Sequence, residues 1–148
     1  MNNIGICVPH LGPSQLAFMA IKFANSLYHT KYDCTLFYRD LVVHCMDINA
    51  SCMTMSEMWG FQGTLITTTL YDTRFAVQSI SPGKKILYLW DLEFLNNEKS
   101  FIDNLTILRN KDILLAARSP SHAKAIDNYC NRTPDMIVED FQFDASKI

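Results

Sequence analysis

The strongest constraint on the fold is the order of elements at the start of the chain. Residues 3–8 form a short apolar run rich in β-branched side chains, and a turn containing two prolines closes it, which predicts a buried strand. Ser14 then stands at the N-cap position of residues 16–28, whose apolar side chains recur every 3.6 residues. Residues 34–38 form a second strand-like run. This order predicts a parallel strand pair with a right-handed crossover.

The alternation of strands and helices continues to the end of the chain. Ser119 and Pro120, for example, form an N-cap followed by proline at the first helical position. Seven predicted strands alternate with about five helices. This pattern indicates a single Rossmann-like α/β domain over residues 1–148, with a mostly parallel sheet of about six to seven strands and helices on both faces. The further strands are predicted at residues 41–48, 64–69, 84–91, 112–117 and 136–138, and the further helices at residues 53–61, 71–80, 98–109 and 120–129.

Composition excludes several classes of protein. Hydrophobic residues make up 49% of the 148 residues, which is enough to form a core and unlike a disordered chain. The net charge is −2 and no basic stripe is visible, so we expect no nucleic-acid partner. No apolar run approaches the roughly 20 residues of a membrane-spanning helix, and the start of the chain lacks the features of a signal peptide.

The cysteines are five in number and scattered, with no CxxC pair. No spacing predicts a metal site, and most of them fall in or beside apolar runs, where a thiol acts as a small hydrophobic group. A reducing compartment suits such a protein. We therefore predict a cytoplasmic protein without a bound metal.

Parallel sheets bind ligands beyond the carboxyl ends of their strands, close to the point where the strand order reverses. Four loops of this chain are predicted to lie there: residues 10–14, 67–72, 91–93 and 118–121. Candidate functional residues are therefore sought in these loops first.

The first loop contains His10 and Gly12 before a predicted helix. The dinucleotide fingerprint GxGxxG is absent. Gly12 would permit close approach of a ligand to the backbone, and His10 is a candidate base or hydrogen-bonding group. The alternative is a rigid turn with an exposed histidine.

The next two loops carry hydroxyl and carboxyl groups. Thr69 is placed to bind a sugar hydroxyl or a phosphate, or else to cap the following helix. Asp91 and Glu93 follow a strongly apolar strand, where carboxylates bind hydroxyl groups or a metal, or act as a base; they are equally suited to fixing a loop. Trp90 and Phe94 beside them either offer a stacking surface for a sugar ring or fill the core.

Read in order, four segments resemble the N-terminal domain of GT-B glycosyltransferases, the retaining family-4 type in particular. They are GTLITTTLYDTRFAVQS, KKILYLWDLE and DILLAARSPSHAKAI, together with the opening NIGICVPHLGPSQLAFMAIKFANSL. The family has comparable strand and helix junctions in the same order at similar spacing. The donor motif E-x7-E and a second Rossmann domain are absent from this chain.

The resemblance implies the acceptor-binding half of a sugar transferase. His10 would then be the base, and Gly12, Thr69, Asp91 and Glu93 would contact the acceptor. The donor would be a nucleotide sugar, held by a partner chain or by another copy of this chain, and no cofactor is implied. Two alternatives remain open: a non-catalytic structural or regulatory module that keeps the fold, and an unrelated small-molecule binder.

Overall fold

One parallel sheet contains all the strands that the structure describes. The computed structural model describes residues 2–79 and 81–148, which form seven strands and four α-helices joined by loops and short 3-10 helices. In chain order the elements are β1 (Asn2–His10), α1 (Gln15–Ser26), β2 (Tyr32–Asp40), β3 (Ser51–Thr54), β4 (Thr64–Thr67), α2 (Leu70–Gln78), β5 (Lys84–Leu89), α3 (Phe101–Leu108), β6 (Leu114–Ala117), α4 (Pro120–Cys130) and β7 (Met136–Ile137). The 3-10 helices are Met55–Gly60, Glu93–Asn96, Glu98–Ser100 and Glu139–Phe141.

The strand order is β3-β2-β1-β4-β5-β6-β7, and every neighbouring pair is parallel. The order reverses between β1 and β4, whose registered residues include Ile4 opposite Thr64. This arrangement confirms the predicted Rossmann-like α/β domain. It also places the carboxyl ends of β1 and β4, where such folds bind ligands, next to each other.

Helices cover both faces of the sheet. Along β5, Ile86 and Tyr88 belong to a core cluster shared with α1, whereas Leu87 and Leu89 belong to a second cluster shared with α3 and α4. Because successive side chains of a strand point to opposite faces, α1 lies on one face and α3 and α4 lie on the other. None of the helices in the described parts of the chain is both long and apolar enough to cross a membrane.

Two predicted helix starts are confirmed by their caps. The side chain of Ser14 accepts a hydrogen bond from the backbone N–H of Ala17 at 3.0 Å, and α1 begins one residue after this cap. Ser119 caps α4 in the same way, accepting from the N–H of His122 at 3.2 Å, with Pro120 at the first helical position. These local signals determine where both helices begin.

The strand predicted at residues 41–48 is wrong. That segment is an irregular loop, and the third strand is β3 further on, at the edge of the sheet. The apolar side chains of the loop have two kinds of surroundings. Leu41 and Val43 are 82% and 86% exposed, whereas Met46 packs against the core cluster that contains α1. Asn25 of α1 also anchors the loop by donating to the carbonyl of Asp47 at 2.9 Å. Apolar content alone therefore misidentified a covering loop as a strand.

Other boundaries differ by a few residues. The helix predicted at 53–61 is the shorter 3-10 helix Met55–Gly60, and the one predicted at 98–109 becomes α-helical only at Phe101. The predicted helix 71–80 is α2, whose last predicted residue, Ile80, lies outside the described residues. Strand ends and 3-10 turns depend on tertiary packing that a local pattern does not encode.

A glycine fixes the turn into β4. Gly63 has φ +139°, and a Cβ added there would collide with the carbonyl oxygen of Asn3. The carbonyl of Gly63 accepts a hydrogen bond from the N–H of Gly83 at 3.0 Å, which joins this turn to the start of β5. Only glycine fits this position, because it has no Cβ to collide with Asn3 and because residues with a side chain avoid this φ.

After β7 the chain returns to the face of α1. Phe141 and Phe143 pack against Phe23 of α1 and Tyr88 of β5, with ring centroids 5.0–5.9 Å apart. The buried hydroxyl of Tyr88 donates to the carbonyl of Val138. The last described segment therefore completes the core on this face.

Candidate functional site

His10, the candidate base, is the last residue of β1. The backbone N–H of Gly12 donates a hydrogen bond to His10 Nδ1 at 3.1 Å. A neutral histidine whose Nδ1 accepts a hydrogen bond carries its proton on Nε2. The remaining ring nitrogen is therefore a hydrogen-bond donor, and Nδ1 is not free to take a proton from a ligand while the bond to Gly12 is in place.

Gly12 itself lies under the loop that follows β2. It is buried, and a Cβ at this position would lie 2.5 Å from Cγ1 of Val42. The N–H of Cys45 in the same loop donates to the carbonyl of Leu11 at 3.0 Å. The glycine thus makes room for Val42, and protein atoms fill the space in which a ligand would approach this backbone.

Thr69 caps α2 at the carboxyl end of β4. Its hydroxyl oxygen accepts a hydrogen bond from the N–H of Asp72 at 3.1 Å, and the hydroxyl donates to the carboxylate of Asp72 at 2.8 Å. The capping alternative is therefore confirmed for this residue. Both hydrogen-bonding functions of the hydroxyl are used within the protein.

Asp72 forms an ion pair that sequence analysis missed. It is fully buried, and one terminal nitrogen of Arg39 lies 2.8 Å and 2.9 Å from its two carboxylate oxygens. The guanidinium carbon of Arg39 also lies 4.7 Å from the ring centroid of Tyr71. Burial, with the negative charge of Asp72 as a second cause, raises the pKa of the nearby Cys7 thiol well above its usual value. The pair connects the end of β2 to the first turn of α2, on the two sides of the point where strand order reverses.

Asp91 and Glu93 follow β5 and have different surroundings. Glu93 is exposed, and its Oε1 accepts a hydrogen bond from the N–H of Leu70, the first residue of α2, at 2.6 Å. A carboxylate at a helix N-terminus satisfies an unpaired N–H and interacts favourably with the helix dipole. Asp91 is also exposed, and none of the described residues forms a hydrogen bond or an ion pair with its carboxylate.

Trp90 and Phe94 fill the core and offer no open stacking surface. Trp90 is 4% exposed, and the guanidinium of Arg118 lies 3.9 Å from its ring centroid. Arg118 also donates to the side-chain oxygen of Gln15, at the start of α1, at 3.3 Å. Phe94 is 2% exposed and packs against the ring of Tyr129.

The structure brings the candidates together in two pairs. His10 and Gly12 are joined by their hydrogen bond before α1, and Thr69 and Glu93 both bind the N-terminus of α2. No hydrogen bond or ion pair among the described residues joins these pairs to each other or to Asp91. All five nevertheless lie at or just after the carboxyl ends of β1, β4 and β5, which are consecutive strands in the sheet.

Of the residues that sequence analysis missed, only Asp72 had a recognisable signal. The Thr69-x-x-Asp72 spacing is that of a capping box. Arg39 lies near the end of β2 and Arg118 directly follows β6, but nothing in the sequence identifies the partners that they contact across the fold.

The described part of the chain contains no group of three histidine, cysteine, aspartate or glutamate side chains placed to hold an ion. No family model, curated protein or solved structure matches the chain. What the domain binds must therefore be inferred from the groups at its strand ends.

Proposed function

We propose that the domain binds a carbohydrate acceptor at the carboxyl end of its sheet and takes part in glycosyl transfer with a partner that holds a nucleotide-sugar donor. The observation that supports this most directly is the position of His10 at the end of β1 and of Asp91 and Glu93 after β5, because β1 and β5 flank β4 at the side of the sheet where the strand order reverses. Hydroxyl-bearing ligands require both donors and acceptors, and these side chains supply both.

Each side chain has a defined role in this proposal. His10 donates from Nε2 to an acceptor oxygen, because its Nδ1 is occupied by Gly12. Asp91, whose exposed carboxylate has no partner among the described residues, accepts the proton of the attacking hydroxyl. Gly12 and Thr69 contribute by shaping the two loops. Transfer requires a partner chain or a second copy to supply the donor, and the free state of all five thiols supports a cytoplasmic setting.

A non-catalytic module is the second candidate. Its support is specific: Thr69, Glu93 and the Nδ1 atom of His10 all form hydrogen bonds within the protein. Side chains bound in this way stabilise helix ends and a turn without any ligand. The two candidates differ in Asp91, whose carboxylate forms no hydrogen bond or ion pair with any described residue.

Ligand-induced thermal stabilisation tests the proposal. The purified chain is screened against nucleotide sugars, free nucleotides and simple oligosaccharides, with Asp91→Asn as the test variant. Asp112→Asn is the matched control, because Asp112 is equally exposed and precedes β6. A ligand at 100 times its Kd adds about 2.7 kcal/mol, which raises Tm by about 5–11 °C in a domain of this size.

Carbohydrate binding that Asp91→Asn weakens and Asp112→Asn leaves intact would support the acceptor role. Affinity purification from the native source then identifies the donor-binding partner. The proposal fails if no carbohydrate stabilises the chain and no nucleotide-sugar-binding protein co-purifies with it. Unchanged biological activity of Asp91→Asn would favour the non-catalytic module.

A further inference from the structure

A recess lies beside the N-terminus of α2, facing α3. Its volume is about 230 Å³, below the roughly 300 Å³ at which pockets for drug-sized ligands begin, so it suits a small molecule. Its lining includes Arg74 from α2, Glu93 after β5, and Asn97, Ser100 and Asn104 before and within α3. Three separate chain segments thus bring five polar side chains to one cavity.

Asn104 distinguishes this recess from an ordinary surface groove. The residue is only 4% exposed and lines the cavity, yet none of the described residues forms a hydrogen bond with its amide group. The amide is not one of the fully enclosed polar atoms of the described residues, so it is open to the recess that the residue lines. A molecule in the cavity can therefore form hydrogen bonds with it.

The charged groups of the recess also keep hydrogen-bonding atoms that are free to contact a ligand. Glu93 binds Leu70 N–H through Oε1, and its second oxygen has no partner among the described residues. Arg74 lies 3.6 Å from Asp103, an ion-pair distance that is too long for a hydrogen bond, and both side chains are substantially exposed. Two amides, one hydroxyl, one guanidinium and one carboxylate thus offer donors and acceptors to the same small volume.

We propose that this recess binds one neutral sugar ring, with the amide of Asn104 as the central contact. The charges of Arg74 and Glu93 oppose each other, so the recess favours a neutral ligand over an anion or a cation. A sugar ring matches the mixture of donors and acceptors, since every hydroxyl is both. The choice of a sugar rests on the carbohydrate binding proposed above; the presence of a binding recess rests on the geometry of Asn104 alone.

The test is the binding of free monosaccharides to the whole chain, measured by saturation-transfer NMR with glucose, galactose, mannose and N-acetylglucosamine. Asn104→Leu removes the amide but keeps a side chain that branches at Cγ. Asn128→Leu is the matched control, because Asn128 is exposed on α4 outside the recess. Glu93→Gln is a second variant that keeps an oxygen for the N–H of Leu70.

We expect at least one of the four sugars to bind, and Asn104→Leu to weaken that binding about tenfold to a hundredfold. Asn128→Leu should leave binding unchanged, and Glu93→Gln should weaken it.

Three results would overturn the proposal that the recess binds a sugar, and they distinguish its failure from a failure of the acceptor-binding proposal. If a sugar binds Asn104→Leu as well as the unchanged chain but is lost in Asp91→Asn, the ligand lies at the strand ends, so the acceptor proposal stands and the recess does not. If none of the four sugars binds, the recess is refuted, while the partner experiment still decides the acceptor role. If Asn104→Leu lowers Tm, the asparagine has a structural contact and is no ligand group.

Discussion

The ion pair between Arg39 and Asp72 offers a direct test of what holds α2 in position. We consider Arg39→Met, which removes the guanidinium but keeps an unbranched apolar side chain that can still cover Tyr71. The carboxylate of Asp72, fully buried, then loses its cation and keeps the hydroxyl of Thr69 as its one hydrogen-bond partner among the described residues. A buried carboxylate without a counter-ion is strongly unfavourable.

The expected loss follows from the burial of the two partners. Removing one member of a buried pair costs about 3–5 kcal/mol. The Arg39 side chain is 36% exposed, so solvent screens part of its charge and the lower end, about 3 kcal/mol, applies. For a domain of about 150 residues this corresponds to a fall in Tm of about 6–12 °C.

Urea unfolding followed by circular dichroism measures this loss, with Arg74→Met as the matched control. The pair of Arg74 with Asp103 is longer and exposed, so its removal should cost less than about 1 kcal/mol. Arg39→Met combined with Asp72→Asn should be more stable than Arg39→Met alone, because the second change removes the stranded charge. The reasoning is refuted if Arg39→Met costs no more than Arg74→Met, or if the double variant recovers nothing.

Two further predictions concern a turn and a thiol. Gly63→Ala should destabilise the protein by about 3 kcal/mol, since it combines backbone strain with a collision at Asn3, whereas Gly60→Ala, with open space around its Cβ, should have little effect in the same urea experiment. Burial raises the pKa of Cys34 to about 12, so at about pH 8 only about 10⁻⁴ of this thiol is ionised. Iodoacetamide should modify exposed Cys52 in the folded protein and Cys34 only after unfolding; labelling of native Cys34 at a comparable rate would contradict this. The pKa of Cys34 in the folded protein lies above its unfolded value of 9.0, so the stability due to the neutral thiol is complete below about pH 9 and is lost as the pH rises towards 12. The urea midpoint should therefore fall between about pH 8 and pH 10.5, and an unchanged midpoint would refute this prediction.

The elements that sequence analysis located correctly are those with strong local signals. The N-caps Ser14 and Ser119 fix two helix starts through hydrogen bonds to residues three positions away. The apolar runs of β1 and β5 are buried on both faces, so their strand character does not depend on a distant partner. Parallel order and helices on both faces then followed from the alternation itself.

The error at residues 41–48 has a physical cause. Leu41 and Val43 are apolar but exposed, and the hydrogen bonds that anchor the segment come from Asn25 and Leu11 on other elements. β3, in contrast, is an exposed edge strand with the sequence SCMT, whose composition does not distinguish it from a loop. Whether each of these two segments forms a strand depends on its position relative to the sheet, and that position is determined by the whole fold.

The candidate site was predictable to the level of loops and not to the level of contacts. The rule for parallel sheets identified the segments that carry His10, Thr69, Asp91 and Glu93. It did not reveal that Thr69 and Glu93 bind the same helix end, because their contacts span up to 23 positions in sequence. Asn104 was missed because the sequence does not indicate whether an asparagine within a helix is buried.

The central place of β1 has a consequence for how the protein is made. β1 and β2 can pair as soon as both have left the ribosome, but the other edge of β1 remains open until Thr64–Thr67 has been synthesised. During that interval an apolar strand exposes unpaired backbone groups, the condition that favours pairing with another nascent chain. The arrival of β4 closes this edge of β1, and the unpaired edge then passes to β4 until β5 has been synthesised.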